Sequence, residues 1–196
     1  MRSKRRLVVA ALVIPMLALL IGSGVGVLAR GMQPPPDADP GSVGFKGAIL
    51  AAIDTSVAPG FQLQLARSVF EPGAYVTSHI HPTAIVVCVE SGALGFALQH
   101  GSGTVTRAAM AGTPTTTEQL LPGNDIELQP NDCVSFDHFV EHTSHTGWNN
   151  SDGETVLIEA RLVKTDEQFT TFIDDQGNPI AAKAPVRTGK AAFLAE

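Results

Sequence analysis

Residues 72–92 read PGAYVTSHIHPTAIVVCVESG. Its two histidines, His79 and His81, are separated by one residue. A β-strand places residues i and i+2 on the same face, so both imidazoles would point at one spot. The β-branched run at 85–89 that follows is typical of a buried strand. The stretch therefore predicts β-structure that carries half of a transition-metal site.

Several further segments have the pattern of short β-strands. Apolar and polar side chains alternate at 61–66, and segments rich in apolar and β-branched residues recur at 133–136 and 155–163. The 19 glycines and 13 prolines of the chain supply turn signals between such runs. Short strands at regular spacing are typical of a sandwich or a barrel. We therefore predict a single all-β domain at 45–163.

Residues 1–30 have the composition of an export signal. A basic cluster at 2–6 precedes a stretch at 7–29 that contains no charged residue. Its length suits an uncleaved membrane anchor, whereas Pro15 and the glycines within 22–26 favour a cleaved signal peptide, and both interpretations stay open. The basic flank keeps the N-terminus in the cytoplasm. The body is therefore expected to be exported, either secreted or anchored by an N-terminal hydrophobic helix.

The segments on either side of the predicted domain have weaker signals. Residues 31–44 include three consecutive prolines and predict an extended linker. Residues 164–196 form a C-terminal extension in which Phe169, Phe172 and Ile173 could pack on the domain.

Charge excludes one class of partner. The chain has 13 basic and 19 acidic residues, and five of the basic residues but no acidic one lie in the first thirty positions. The remainder therefore holds 8 basic and 19 acidic residues, a formal charge of −11. A body this acidic argues against binding to nucleic acid.

All six histidines fall inside the predicted domain, and clustered imidazoles favour a metal site. The glycine and histidine spacing within 73–92, with His79 and His81, resembles the first motif of the cupin superfamily. Pro130 and His142, at the matching separation, resemble the second motif. The resemblance implies a cupin-type jelly-roll barrel with a metal inside, bound by His79, His81 and His142.

The first motif departs from the cupin pattern in one residue. Ile85 stands where cupins usually carry a glutamate, and Glu90 would point to the other face of a regular strand. Three neutral imidazoles leave the charge of a divalent ion uncompensated and its remaining positions open, which favours an anionic, chelating ligand. Some cupin-like thiol dioxygenases resemble this arrangement. The ion could be iron, zinc, nickel, copper or manganese.

The second motif departs as well. Thr146 stands where the motif has an asparagine, and Asn149 and Asn150 come later, as if the loop had grown. His138 and His145 lie in the same loop region, either as spare ligands or proton carriers, or as solvated side chains. No general base stands out, so no catalytic residue is predicted.

The resemblance also implies that the strands after His81 and after Pro130 are neighbours in one sheet. Cys88 and Cys133 lie on those two strands. A cross-strand disulfide is then conceivable, which an oxidising compartment would permit. Two buried thiols are the alternative.

These observations lead to three functional hypotheses. The first is an exported or membrane-tethered cupin that binds a transition metal and carries out a dioxygenase-like oxidation of a small chelating substrate. The second is a non-catalytic module that binds or senses a small ligand or a metal, and the third is a metal-free cupin. A homodimer is a further expectation, because Val86 and Cys88 would place apolar groups on the outside of the barrel.

Overall fold

The computed structural model describes residues 33–110 and 112–183. The predicted signal peptide or anchor at 1–30 and the end of the C-terminal extension lie outside the described residues. Within the described part of the chain, no helix is long and apolar enough to cross a membrane.

Strands make up most of the described chain, and one short helix, α1 (His138–Glu141), interrupts them. The strands are β1 (Ser42–Asp54), β2 (Phe61–Ile80), β3 (Thr83–Ser91), β4 (Leu94–His100), β5 (Gly103–Arg107), β6 (Thr116–Leu120), β7 (Ile126–Leu128), β8 (Cys133–Asp137), β9 (Ser144–Asn149), β10 (Thr155–Lys164) and β11 (Thr171–Phe172). The all-β prediction is confirmed.

The strands form one antiparallel sheet that curls into a half-barrel. The order is β6-β5-β8-β3-β10-β2-β9-β4-β7, and β1 and β11 also pair with β2. The long strand β2 pairs with β10 through residues 61–70 and with β9 through residues 75–79. Gly73 lies between these two ladders with a φ of 76°, a conformation that favours glycine. The bend at Gly73 therefore lets the single strand β2 take part in two neighbouring walls of the half-barrel.

The core lies inside this curl. On β3, Ile85, Val87 and Val89 point inward, whereas Val86 and Cys88 point outward. The inward set packs with apolar side chains from the facing strands, including Leu94, Phe96, Val134, Phe136 and Leu157. Glu90 lies on the outer face, where it forms an exposed ion pair with Arg67. The strand alternation read from the sequence therefore holds along β3.

Cys88 and Cys133 form a disulfide between β3 and β8. The two residues are directly opposite each other in the antiparallel ladder. The neighbouring placement of these strands is the one that the cupin resemblance implied, and the disulfide decides between the two cysteine alternatives.

The sheet extends past both predicted boundaries of the domain, and part of the predicted C-terminal extension packs on it. The first strand begins at Ser42, inside the predicted linker, and residue 164 is still part of β10. Beyond β10 the chain returns to pair with the end of β2 as β11, where Phe172 and Ile173 are buried. The described part of the C-terminal extension, up to residue 183, therefore packs on the end of the sheet at which β2 finishes.

Candidate metal centre

Two neighbouring strands bring three histidines together. His79 is at the end of β2, His81 follows directly, and His145 is on β9, paired with His79 across the ladder. All three side chains are buried. One nitrogen from each ring lies within 4.8 Å of the others. Among the described residues, this cluster is the one that could hold a metal ion.

The structure corrects the third predicted ligand. His142 is the C-cap of α1, with a left-handed φ of 50°, and its side chain is exposed. Its nearest ring is that of His138, at 6.2 Å between centroids. The single turn of α1 separates β8 from β9, so the residue that faces inward comes three positions later, at His145. The motif spacing identified His142 because it assumes a shorter loop.

A signal for this shift was present in the sequence. The asparagine of the second motif is displaced by three residues, from position 146 to Asn149, which is the same shift as from His142 to His145. Asn149 is fully buried and donates to the carbonyl oxygens of Phe70, Glu71 and Gly153. The histidine and the asparagine are therefore displaced from the motif spacing by the same three residues.

Hydrogen bonds fix which nitrogen of His79 and of His81 can bind an ion. Nδ1 of His79 donates to the carbonyl of Thr77 at 2.7 Å, and Nδ1 of His81 donates to the carbonyl of Phe169 at 2.8 Å. In the neutral rings, Nε2 then carries the lone pair. These two Nε2 atoms are 3.0 Å apart, so two lone pairs face each other.

The third ring adds an unsatisfied atom. Nδ1 of His145 is buried and has no hydrogen-bond partner among the described residues. A buried polar atom without a partner costs about 1–3 kcal/mol. Two nitrogens 3.0 Å apart can both bind one ion at the usual metal–nitrogen distance of about 2.0–2.1 Å. The donor set therefore fits a transition-metal ion, which would remove the lone-pair repulsion.

Burial also keeps the three imidazole rings in the neutral form, which is the form that binds metal ions. Desolvation lowers the pKa of His79 to about 4, although the hydrogen bond to Thr77 opposes the shift. The pKa of His81 and that of His145 lie well below the usual value, mainly because of burial and then because of the neighbouring imidazoles. At neutral pH all three are neutral ligands.

The histidines line a cavity of about 1040 Å³ inside the half-barrel. Much of its wall is apolar, and Ile85 is part of it. No carboxylate belongs to the cluster within the described residues. The cluster therefore offers imidazole donors alone, and Ile85 occupies the position of the motif glutamate in the cavity wall.

Three residues near the cluster were missed in the sequence. The ring of Phe169 stacks on His81, with centroids 4.3 Å apart and planes 15° apart. Glu159 and Arg161 of β10 point into the cavity. The sequence predicts only a packing role for Phe169, and the pattern at 155–163 predicts a strand without showing that its charged residues face inward.

The remaining histidines are outside the cluster. Nδ1 of His138 interacts with the carbonyl of Thr143 at 3.0 Å, and His100 lies near the hydroxyl of Ser144 at 3.2 Å. Of the two spare candidates, His145 is therefore in the cluster and His138 is not.

No family model matches this sequence, and no curated protein matches it. Among solved structures, a cupin 2 domain-containing protein from Halorhodospira halophila is 18% identical, with a TM-score of 0.40, over 65% of this chain and 70% of that one. KdgF from Halomonas sp. is 20% identical, with a TM-score of 0.34, over 57% of this chain and 84% of that one. The ribosomal oxygenase YcfD from Escherichia coli is 14% identical, with a TM-score of 0.35, over 50% of this chain but only 22% of its own length.

Cupin proteins are thus among the structural neighbours, and the three-histidine cluster is consistent with a cupin. With TM-scores below 0.5, these likenesses carry no conclusion about substrate or reaction.

Proposed function

We propose that this chain is a jelly-roll cupin that binds a divalent transition metal through His79, His81 and His145. The observation that carries the proposal is the pair of facing Nε2 atoms, 3.0 Å apart, beside the unpartnered Nδ1 of His145. Iron, zinc, nickel, copper and manganese all accept imidazole ligands, and the donor set does not select among them.

The reaction that suits such a site is a dioxygenase-like oxidation of a small chelating molecule. A bound ion would supply Lewis acidity and, if redox-active, electron transfer to oxygen. The chain itself contributes positioning and exclusion of water. The carbonyls of Thr77 and Phe169 hold two imidazoles in one tautomer and orientation. Apolar side chains of the wall, including Ile85, Phe96 and Phe136, keep the cavity dry.

A non-catalytic binding module is the second candidate, and one observation favours it. Among the described residues that line the cavity, the charged side chains are already paired: Glu159 with Arg161, and Lys46 with Glu71. No unpaired carboxylate is left there to act as a general base. A chain that only binds or senses a ligand needs none.

We also propose export from the cytoplasm. The support comes from the basic and apolar composition of residues 1–30 and from the disulfide between Cys88 and Cys133, which is typical of oxidising compartments. Cleavage would remove about thirty residues from the mature protein, so its mass separates a cleaved signal peptide from a retained anchor.

A second copy of this chain is the proposed protein partner. On the outer side of the sheet, Val86, Leu65 and Ala51 lie in one row across β3, β10, β2 and β1, and Leu63 and Ile53 lie in the next. Val86, Leu65, Leu63 and Ile53 are each more than 40% exposed. This outer apolar face is the surface on which two copies would meet.

Metal analysis of matched variants tests the metal proposal. We expect the wild type and His142→Ala to retain stoichiometric metal after purification, and His145→Ala to lose it. His142 is the control because it is an exposed histidine from the same loop. Equal metal content in both variants would contradict the assignment of the ligands, and absence of metal from the wild type would favour a metal-free cupin.

A further inference from the structure

Strand β10 turns its charged side chains inward. Leu157, Glu159 and Arg161 face the cavity, whereas Val156 and Ile158 face outward and are half-buried. The hydrophobic pattern alone would place the apolar set inside. Glu159 and Arg161 are only 7% and 9% exposed, and such residues are seldom this buried. Departures of this kind concentrate at functional sites.

Hydrogen bonds hold the Arg161 guanidinium in place. Its Nη1 donates to Glu159 at 3.0 Å and its Nε donates to Gln64 at 2.9 Å. Glu159 is itself fixed by a hydrogen bond from the hydroxyl of Ser68. The second terminal nitrogen of Arg161, Nη2, makes no hydrogen bond within the described part of the chain. Nη2 of the planar Arg161 guanidinium is therefore available to donate a hydrogen bond to a ligand.

Stability does not explain this pair. A buried ion pair is often neutral or unfavourable compared with well-packed apolar side chains of the same volume. The pair sits in a wall that is otherwise largely apolar. Its presence points to a task in the cavity.

Arg161 is close to the histidine cluster. The Phe169 ring centroid is 4.3 Å from that of His81 and 4.0 Å from Cζ of Arg161. The guanidinium carbon is therefore no more than about 8 Å from the His81 ring, the sum of these two distances. Both groups line the same cavity, and a molecule with a few carbon atoms has the length to contact both.

Charge balance indicates the class of that molecule. Glu159 neutralises Arg161, and imidazoles bind a metal ion in their neutral form, so a divalent ion would leave the cavity with two uncompensated positive charges. Two anionic groups on one ligand would cancel them. A carboxylate also matches the planar donor geometry of a guanidinium.

We propose that the cavity binds a small dicarboxylate, with one carboxylate at the histidine cluster and the other on Nη2 of Arg161. Glu159, Gln64 and Ser68 act as positioning residues that aim the guanidinium. This inference rests on the proposed metal site for one end of the ligand and on Arg161 alone for the other.

Titration calorimetry on the full chain tests the proposal, with zinc as a redox-silent ion and succinate as the probe. We expect Arg161→Gln to weaken succinate binding about 10- to 100-fold, as for the loss of one charge-assisted hydrogen bond. Acetate, which has a single carboxylate, should bind the wild type and this variant equally. Arg67→Gln is the matched control, because it removes an arginine from an ion pair on the outer face of the same sheet.

Folding is checked by circular dichroism, because Arg161→Gln leaves Glu159 without its partner. If that variant does not fold, Glu159→Gln/Arg161→Gln removes both charges together and takes its place. Equal succinate affinity in the wild type and the cavity variant, or no succinate binding to the wild type, would overturn the proposal.

Zinc content, measured on the same samples, separates this proposal from the metal proposal. If zinc does not bind but succinate affinity still depends on Arg161, the carboxylate site stands and the metal site falls. If zinc binds and succinate affinity is the same with and without Arg161, the metal site stands and the carboxylate site falls.

Discussion

Acid should destabilise the metal-free protein in a specific pH window, because the histidine cluster cannot accept protons while it stays buried. In the unfolded chain His79 titrates near 6.5, whereas in the folded chain its pKa is about 4. As the pH falls from 6.5 to 4, the unfolded state takes up a proton that the folded state refuses. Stability is therefore fully present above pH 6.5, decreases through this window, and levels off below pH 4.

The magnitude follows from the size of the shift. A displacement of about 2.5 pH units corresponds to about 3 kcal/mol of unfolding free energy from His79 alone. His81 and His145 shift in the same direction and add to the loss. For a chain of this size, 3 kcal/mol lowers Tm by about 6–12 °C.

Thermal unfolding of chelator-treated protein between pH 7 and pH 4 measures the effect. The readout is the slope of Tm against pH, compared between the wild type and His79→Gln. The slope should be shallower in His79→Gln, whereas His142→Gln, which changes an exposed histidine, should leave it unchanged. If the wild type and His79→Gln lose stability in parallel, the cluster is not shielded from protons in the way described.

Two further predictions concern the scaffold and the outer surface. Asn149→Ala should destabilise the fold by about 3 kcal/mol or more, because buried carbonyl groups lose their donor. Asn150→Ala, which removes only an exposed contact, should cost less than about 1 kcal/mol by urea unfolding, and equal costs would contradict the account. Leu65→Lys on the outer apolar face should convert dimer to monomer in light scattering, whereas Leu121→Lys, elsewhere on the surface and similarly exposed, should not. A wild type that is monomeric at all concentrations would refute the dimer.

The sequence was most informative where side-chain alternation and burial agree. On β3 the apolar face and the fold coincide, so Ile85 and Glu90 could be assigned to opposite sides correctly. The disulfide between Cys88 and Cys133 was one of two alternatives, and the strand order that the cupin resemblance implied made it possible. The alternation on β3 depends on the local pattern of residues, whereas the strand order came from the resemblance.

The third histidine of the cluster could not be obtained from spacing alone. Whether His142 or His145 faces inward depends on α1, a single turn that absorbs three residues between two strands. The inward orientation of Glu159 and Arg161 could not be predicted either. A hydrophobic pattern predicts that charged side chains face solvent, unless a cavity supplies partners for them. The C-terminal segment has little periodicity, and its path is set by pairing with β2.

Because Nδ1 of His81 donates to the carbonyl of Phe169, the segment that follows β10 belongs to the candidate metal centre. A shortened protein that stops at the end of β10 would keep all three histidines, yet the His81 ring would lose its acceptor and could flip between tautomers. Metal affinities measured on such a shortened form would then belong to a site in which the His81 ring is held less rigidly than in the longer chain.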